Sequence, residues 1–522
     1  MTIRYLVDLD IASSTGVAVN LRYSTGTTIT AGGSTYTGKI AQPAFLSQSI
    51  AIDSGLGGAI SSSIGELILT NTKRDLDVYK DHIFEGKTLT LYSYDTVTAI
   101  RTKLLVQVIE QAAFEWNQVS IRLQNRSATL DKPLQTLKYT GLNVLPGTTA
   151  ANTLEGVTDL KDKLKPLIFG RVSNMTPVLV NTSRLIYQIS SGTVEQVVNV
   201  LTNGAYLSRS ANVIASYADF VSDLSTKAPA GGYYTSYTNS EGSFIRIGMS
   251  TGQLTCTVWE KKSVLANSPA QVILRILTSF GYTSADYVSA DFTLLDSKIA
   301  DNVGIVVQDN ETIASILTSI CTSIGAWWGV DQNNLFRIYY FGDLTATPIV
   351  SIHTQTSPDA FGITSFDFTG ASYNGQVVPV RKVSLQYDKN WSVQNKESLA
   401  GIVVTENLER ANWLSTEYRS AVVESPTTLT LFPTSQVFEL STVFDSEIAA
   451  LSEATRVLNL TSVKRNLVNL SVRLSLAELA SLYICSIINV ILPRYGIAGT
   501  SYVLTSMEID YLNYTANLTL WG

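Results

Sequence analysis

Alternation of apolar and polar residues near the end of the chain constrains the fold more than any other feature. Val503, Thr505, Met507, Ile509 and Tyr511 fall on one side of an extended segment, and Leu504, Ser506, Glu508 and Asp510 fall on the other. Successive side chains of a strand point to opposite faces, so this pattern predicts a half-buried strand. A short turn near Asn513 leads to Ala516, Leu518 and Leu520, which alternate with Asn517, Thr519 and Trp521. Together they predict a hairpin built into a sheet up to the last residue. The same period recurs where Val119, Ile121 and Leu123 alternate with Ser120, Arg122 and Gln124, and again over residues 89–95. Turn punctuation comes from Gly32-Gly33 and from Gly55, Gly57 and Gly58. Residues 1–130 therefore predict a small antiparallel barrel or sandwich.

The middle of the chain reads differently. Residues 140–156, rich in Gly, Thr and Asn, predict a surface loop, and Lys165 to Gly170 returns to an apolar strand. A short helix is expected over Thr193 to Leu201, ended by Asn203-Gly204, and a hairpin over Tyr237 to Trp259 turning at residues 250–252. Ser268-Pro269 predicts a capped helix that runs to about Phe280, where Gly281 stops it. Asp309-Asn310-Glu311 starts a second helix through Ile316, Leu317 and Ile320. A hairpin follows, from Ala326-Trp327-Trp328-Gly329 through a turn at residues 331–334 to Leu335–Tyr340. In the last third, a helix is expected over Asp445 to Leu460, capped by Asp445, with Ile448, Leu451, Ala454 and Leu458 as its apolar stripe. The expected architecture is mainly β with inserted α+β parts, in several domains. They are residues 1–130, a β-barrel; 131–265, mixed and mainly β; 266–350, a helix-hairpin unit; and 351–522, a β-rich unit with one helix.

Length and charge limit the functions such a chain can serve. At 522 residues it exceeds the size of one core. Charged residues are 15% of the chain, against about 25% for an average soluble domain. Ser, Thr, Tyr and Asn fill the difference, which suits a surface buried against neighbours, because burying charge is costly. The net charge is −6, and the densest basic stretch, Lys161 to Lys165, is interrupted by Asp162. That argues against tight nucleic-acid binding. The start, MTIRYLVDLD, lacks the apolar core of a secretory signal, and the longest apolar run, near Ile484 to Leu492, is too short to span a membrane. A soluble protein made in a cytoplasm is expected.

Candidate chemistry is sparse. The cysteines Cys256, Cys321 and Cys485 lie far apart in apolar runs, which predicts buried free thiols and no zinc site. There are two histidines, His82 and His353, neither near a base or metal motif. Gly248-Met249-Ser250-Thr251-Gly252 matches a nucleophile elbow in form, but the elbow needs a helix after the serine, and the following residues read as a strand. Asp75 and Asp77 lack the framework of a calcium loop and read as a solvated turn. Gly55, Gly57 and Gly58 form no phosphate-binding fingerprint. Trp327-Trp328 and the 25 tyrosines could form a carbohydrate platform, but aromatic residues equally fill strand cores and interfaces. No catalytic, cofactor-binding or metal site is expected.

Several segments, in order along nearly the whole chain, resemble the hub proteins of phage tails, a baseplate family also found in gene transfer agents. Near the start these are Gly65-Glu66-Leu67, Leu69, Asn71 and Leu76-Asp77, followed by Phe84, Gly86 and Lys87. Lys165-Pro166-Leu167-Ile168-Phe169-Gly170-Arg171-Val172, with Asn174 and Pro177-Val178, forms a second stretch, and Gly252 to Cys256 a third. Asp309 to Phe336 resembles the family's helix-hairpin, and Tyr387 to Gln394 a later strand. Leu492-Pro493-Arg494-Tyr495-Gly496 and Leu518 to Gly522 resemble its closing barrel. Some relatives carry an iron–sulfur cluster on grouped cysteines, which this chain lacks, so no cofactor is expected.

The resemblance implies a non-enzymatic virion component: two tube-like β-barrels per subunit, at the N- and C-terminal parts. Three subunits then form a pseudo-sixfold ring at the tail tip. The implied partners are two further copies, the tail tube or distal tail protein, the tape-measure protein and a central fibre. DNA would pass through the channel without specific binding, and assembly would occur in the host cytoplasm. Two alternatives remain from sequence: a hexameric distal tail or carbohydrate-binding fibre protein, and a tail-associated cell-wall hydrolase.

Overall fold

The computed structural model describes residues 3–52, 55–142, 154–249, 252–263, 265–342, 344–357, 360–371 and 378–522. Its first sheet closes on itself. Strands Ala18–Thr25, Ile3–Ala12, Ile83–Asp95, Arg101–Phe114, Gln118–Gln124, Leu67–Thr70 and Ser34–Gln42 pair in that order, and Ser34–Gln42 returns to Ala18–Thr25. Closure is the one parallel contact, Tyr23 to Thr37, in an otherwise antiparallel barrel. Alternation fills the interior: Val7, Leu9, Leu89, Leu91, Leu105, Ile109 and Ile121 are all buried. Closing the sheet removes the free strand edges that would otherwise pair with other chains.

The chain end builds a second tube-like unit. Strands Val350–His353, Ile487–Ile491, Ala498–Asp510, Thr515–Trp521, Asn466–Arg473 and Gly362–Gly370 pair in that order. The sheet curls into a half-barrel whose edge strands touch at a single bridge, Thr354 to Ile363. The terminal hairpin forms as expected, with one refinement. A register shift between Leu504 and Ser506 lets both Leu504 and Thr505 point inward. Trp521, placed by simple alternation beside Asn517 and Thr519, is also buried, because the sheet is covered on both faces at that end. The two units are laced together. Residues 43–66 leave the first barrel, and strand Leu46–Ser49 pairs with residues 506–509 of the second. Tyr5 of the first barrel donates its hydroxyl to the carbonyl of Tyr511.

Between the two in sequence lies a nine-stranded sheet running from Val178–Asn181 at one edge to Gly304–Val307 at the other. Two sequence expectations are corrected here. The helix expected over Thr193 to Leu201 is a strand, Gln196–Thr202, paired with Ala205–Arg209 and Leu254–Trp259. Val197, Val198 and Val200 favour the pleated backbone, and Asn203 and Gly204, at φ 46° and 79°, make the tight hairpin turn that needs two positive φ values. The hairpin expected over Tyr237 to Trp259 does not exist as such. Tyr233–Asn239 turns at residues 240–241 into Gly242–Ile247, and Leu254–Trp259 crosses to the far side of the sheet to pair with Leu167–Met175. Residues 143–153 of the expected loop, and Ser250 and Thr251, lie outside the described residues.

Helix Pro269–Ser279 forms as expected: Ser268 caps it, accepting from the Gln271 N–H, and Gly281 ends it at φ 82°. The second helix, Ile313–Ser323, is capped by Thr312, later than the expected start at Asp309 to Glu311. It buries Ile313, Ile316, Leu317, Ile320 and Cys321. Hairpin Ala326–Val330 and Phe336–Tyr340 follows as expected, with Gly58-Ala59 as a third strand. The long helix near the end is Glu447–Thr461, and Ser446, not Asp445, caps it. Of the expected stripe, Ala454 and Leu458 are buried and Leu451 is half-buried against the core, whereas Ile448 is 79% exposed; Ala449, Ala450, Glu453 and Val457 complete the buried face.

Gly57 explains the glycine cluster physically. A Cβ there would lie 2.4 Å from the Cys321 carbonyl oxygen and 2.7 Å from that of Ala326. Gly57→Ala is expected to cost about 1–3 kcal/mol by overpacking, read as a lower urea midpoint with an unchanged slope.

The first barrel is pinned to the helical unit by Arg126, which donates to the Asp286 carboxylate. The Thr283 backbone N–H, and after it Arg126, hold that carboxyl below the usual carboxylate range. A depressed folded value contributes stability above the unfolded pKa of about 3.9, and that contribution is lost as pH falls through the folded value. Protection of residues 283–286 against hydrogen exchange, corrected for the intrinsic pH dependence of exchange, should therefore fall on acidification below about pH 4. Asp286→Asn should remove that pH dependence.

Candidate functional site

Two of the stretches singled out in sequence meet in space. Strand Leu167–Met175 brings Arg171, Ser173 and Asn174 to one wall, and the segment after strand Val380–Tyr387 brings Asp388, Lys389, Asn390 and Trp391 to the other. They are joined by a buried asparagine pair. Asn174 donates its amide to Asn390 Oδ1 at 2.7 Å and to the Ser392 carbonyl at 3.0 Å. Asn390 donates in turn to the carbonyls of Trp413 at 3.3 Å, Leu414 at 3.0 Å and Thr416 at 3.1 Å. Asn174 holds φ 52°, a left-handed backbone that asparagine tolerates better than most residues. Gly170 lies opposite Gly304 in the adjoining strand pair. A Cβ on Gly304 would meet the Arg171 carbonyl oxygen at 1.6 Å, so the close approach of these strands requires glycine.

Beside this junction opens a cleft of about 370 Å³, lined by Arg171, Asp309, Glu311, Asp388, Lys389 and Asp445 among others. Arg171 donates to Asp445 at 3.2 Å. Burial pushes the Asp445 carboxyl up, and Arg171 opposes it. Burial, then the Asp309 charge, pushes Glu311 up, and Lys389 opposes it. The Lys389 ammonium lies 4.4 Å from the centroid of the Trp391 ring. The walls supply ion pairs, a cation over an aromatic face and hydrogen bonds across the strand junction. They supply no serine or cysteine nucleophile paired with a histidine base. The arrangement fastens the nine-stranded sheet to the segment that leads into the C-terminal half-barrel.

The other residues singled out in sequence are scattered. His82 packs edge-on against Tyr79 at 5.2 Å, and His353 is exposed on strand Val350–His353. Asp75 pairs with Lys39, and Asp77 accepts from the Asn71 amide at 2.7 Å, while Asn71 Oδ1 accepts from the Leu76 N–H. That is a hydrogen-bonded surface turn. Among the described residues, no group of three or more His, Cys, Asp and Glu side chains is placed to hold a metal. Trp327 and Trp328 are 2% and 4% exposed, and the Trp328 indole donates to Thr318, so they form core and not a sugar platform. The cysteines are free. Burial pushes the Cys256 thiol up to about 12, and raises those of Cys321 and Cys485. The segment after Gly252 is strand Leu254–Trp259, not the helix a nucleophile elbow requires. No helix among the described residues is long and apolar enough to cross a membrane.

No family model and no curated protein matches the chain. Solved structures resemble it at low identity. A tail protein from Neisseria meningitidis MC58 aligns over 99% of this chain and 96% of its own, at 9% identity and TM-score 0.38. The 43 kDa tail protein of prophage MuSo2 from Shewanella oneidensis aligns over 94% and 95%, at 10% identity and TM-score 0.39. A chain of the virion of a native gene transfer agent particle aligns over 69% and 84%, at 12% identity and TM-score 0.43. At these TM-scores and identities the likenesses assign the chain to no family.

Proposed function

We propose that this chain is a structural hub of a bacteriophage tail tip. Three copies form a ring that presents six tube-like units to a sixfold tail tube and a threefold face to the central fibre or tip. The observation that carries the reading is the pairing of two tube-like β units in one chain: a closed seven-stranded barrel and a six-stranded half-barrel, laced by strand Leu46–Ser49. The ordered resemblance of the sequence segments to tail hubs supports it, as does the low charge fraction of 15%. The partners are then the tail tube or distal tail protein, the tape-measure protein and the central fibre. DNA slides through the channel without being read. The protein acts without catalysis or cofactor, as a virion component assembled in the host cytoplasm. Native mass spectrometry of the purified chain tests the ring. A trimer is expected, and a hexamer would replace this reading with a distal tail protein. In zymography on host cell walls no clearing is expected; a clearing band abolished by Asp445→Asn would make the chain a hydrolase.

A further inference from the structure

Strand direction divides the first barrel into two ends. Ile3–Ala12, Arg101–Phe114 and Leu67–Thr70 all run toward one end, which carries the loops at residues 13–17, 71–82 and 115–117. The chain passes between this barrel and the rest of the molecule after Gln42, before Leu67 and after Gln124. Each of these points lies at the opposite, proximal ends of their strands, so among the described residues the 13–17 end is the barrel end away from the points where the chain leaves it. That distal end nevertheless exposes large apolar side chains: Val17 at 65%, Val78 at 68%, Ile83 at 40% and Trp116 at 78%. The Arg74 guanidinium lies 4.8 Å above the Trp116 ring. Exposed large apolar side chains on three loops of one barrel end have the make-up of an interaction surface, and Trp and Arg are the side chains that most often dominate binding energy.

Its charge selects the partner class. Residues 71–83 carry Lys73, Arg74 and Lys80 against Asp75, Asp77 and Asp81, three cations and three carboxylates. A balanced rim around an apolar centre has the make-up of a protein contact. A nucleic acid or an anionic membrane would call for a basic surface. The structure assigns this distal end as the surface that stacks end-on against the neighbouring protein ring of the tail tube, with Trp116 and Val78 at its centre. The assignment rests on the hub reading: in a tip subunit, the barrel end away from the points where the chain leaves it is the one left to meet the tube.

The test uses the full-length chain and tail tubes purified from particles assembled without it. Attachment is measured by co-sedimentation and imaging. Trp116→Ser combined with Val78→Asp changes only exposed side chains. It is expected to leave the native mass and melting temperature unaltered and to weaken attachment at least about tenfold. Val97→Asp with Ile100→Asp, at the opposite end where these residues are 77% and 62% exposed, should attach like the unaltered chain. Undiminished attachment of the distal variant would overturn the assignment, as would equal loss in the opposite-end variant. A native mass that falls in the distal variant would overturn it too, by showing that a second copy occupies this end. Failure of the unaltered chain to attach to tubes at all would instead overturn the hub reading.

Discussion

Replacing Asn390 by alanine is expected to destabilise the junction between the nine-stranded sheet and residues 413–416 by about 3–5 kcal/mol. The side chain is 2% exposed and its amide is surrounded by protein. Its oxygen accepts from Asn174 Nδ2 and from the Ser392 N–H at 3.0 Å, and its nitrogen serves three main-chain carbonyls. Alanine deprives the Ser392 N–H and the Thr416 carbonyl of a hydrogen bond, at about 1–3 kcal/mol each, less whatever entering water relieves. Asn174 keeps the Ser392 carbonyl, the Leu414 carbonyl keeps the Gln394 N–H and the Trp413 carbonyl keeps the Thr416 N–H. Asn390→Asp should be at least as damaging, because a carboxylate would face three carbonyl oxygens. A chain of several units has no single unfolding free energy, so native-state hydrogen exchange at residues 413–416 and 167–175 is the proper readout. The double variant with Asn174→Ala should lose less than the sum of the two single losses, since the pair shares one hydrogen bond. Protection unchanged to within about 0.5 kcal/mol would show that the pair does not hold the junction.

Trp521→Ala is expected to cost about 3–5 kcal/mol, concentrated in the C-terminal half-barrel. The indole is 2% exposed, lies 5.5 Å from the Phe341 ring and donates to the Ala371 carbonyl at 2.9 Å. Truncation removes a large apolar surface, leaves a cavity and strands a carbonyl. Because Trp521 belongs to the core that runs through both tube-like units, the loss should spread to the strand pairing between Leu46–Ser49 and residues 506–509. Trp521→Phe keeps the volume in part and should recover more than half of the loss. Urea titration followed by tryptophan fluorescence and by exchange at residues 515–521 separates the two variants.

Local pattern carried the tube-like ends of the molecule and left its middle ambiguous. The terminal hairpin was legible because Val503 to Leu520 alternate and a turn separates the two runs. Ser268-Pro269 was legible because capping is a property of adjacent residues. Thr193 to Leu201 misled because Val194, Val197, Val198 and Leu201 repeat at helical spacing. The decision lay in β-branched packing and in Asn203-Gly204, which serves equally as a helix stop and as a hairpin turn. Asp445 misled in another way. It is a competent cap, but its carboxylate is held by Arg171, 274 residues distant, and Ser446 caps the helix instead. The asparagine pair spans 216 residues. Both of its members stood in stretches that sequence had singled out, yet no local rule says that one amide will find the other. The exposed distal end of the first barrel was equally hidden, since an apolar residue in a turn is only notable once the fold shows it uncovered.

Copy number and position in an intact tail test the central claim most directly. Cryo-electron microscopy of purified particles should show three copies of this chain in one ring at the tip. Each should contribute its closed barrel and its half-barrel to six positions around the channel. Six copies in a ring, or density confined to a fibre away from the channel, would contradict it.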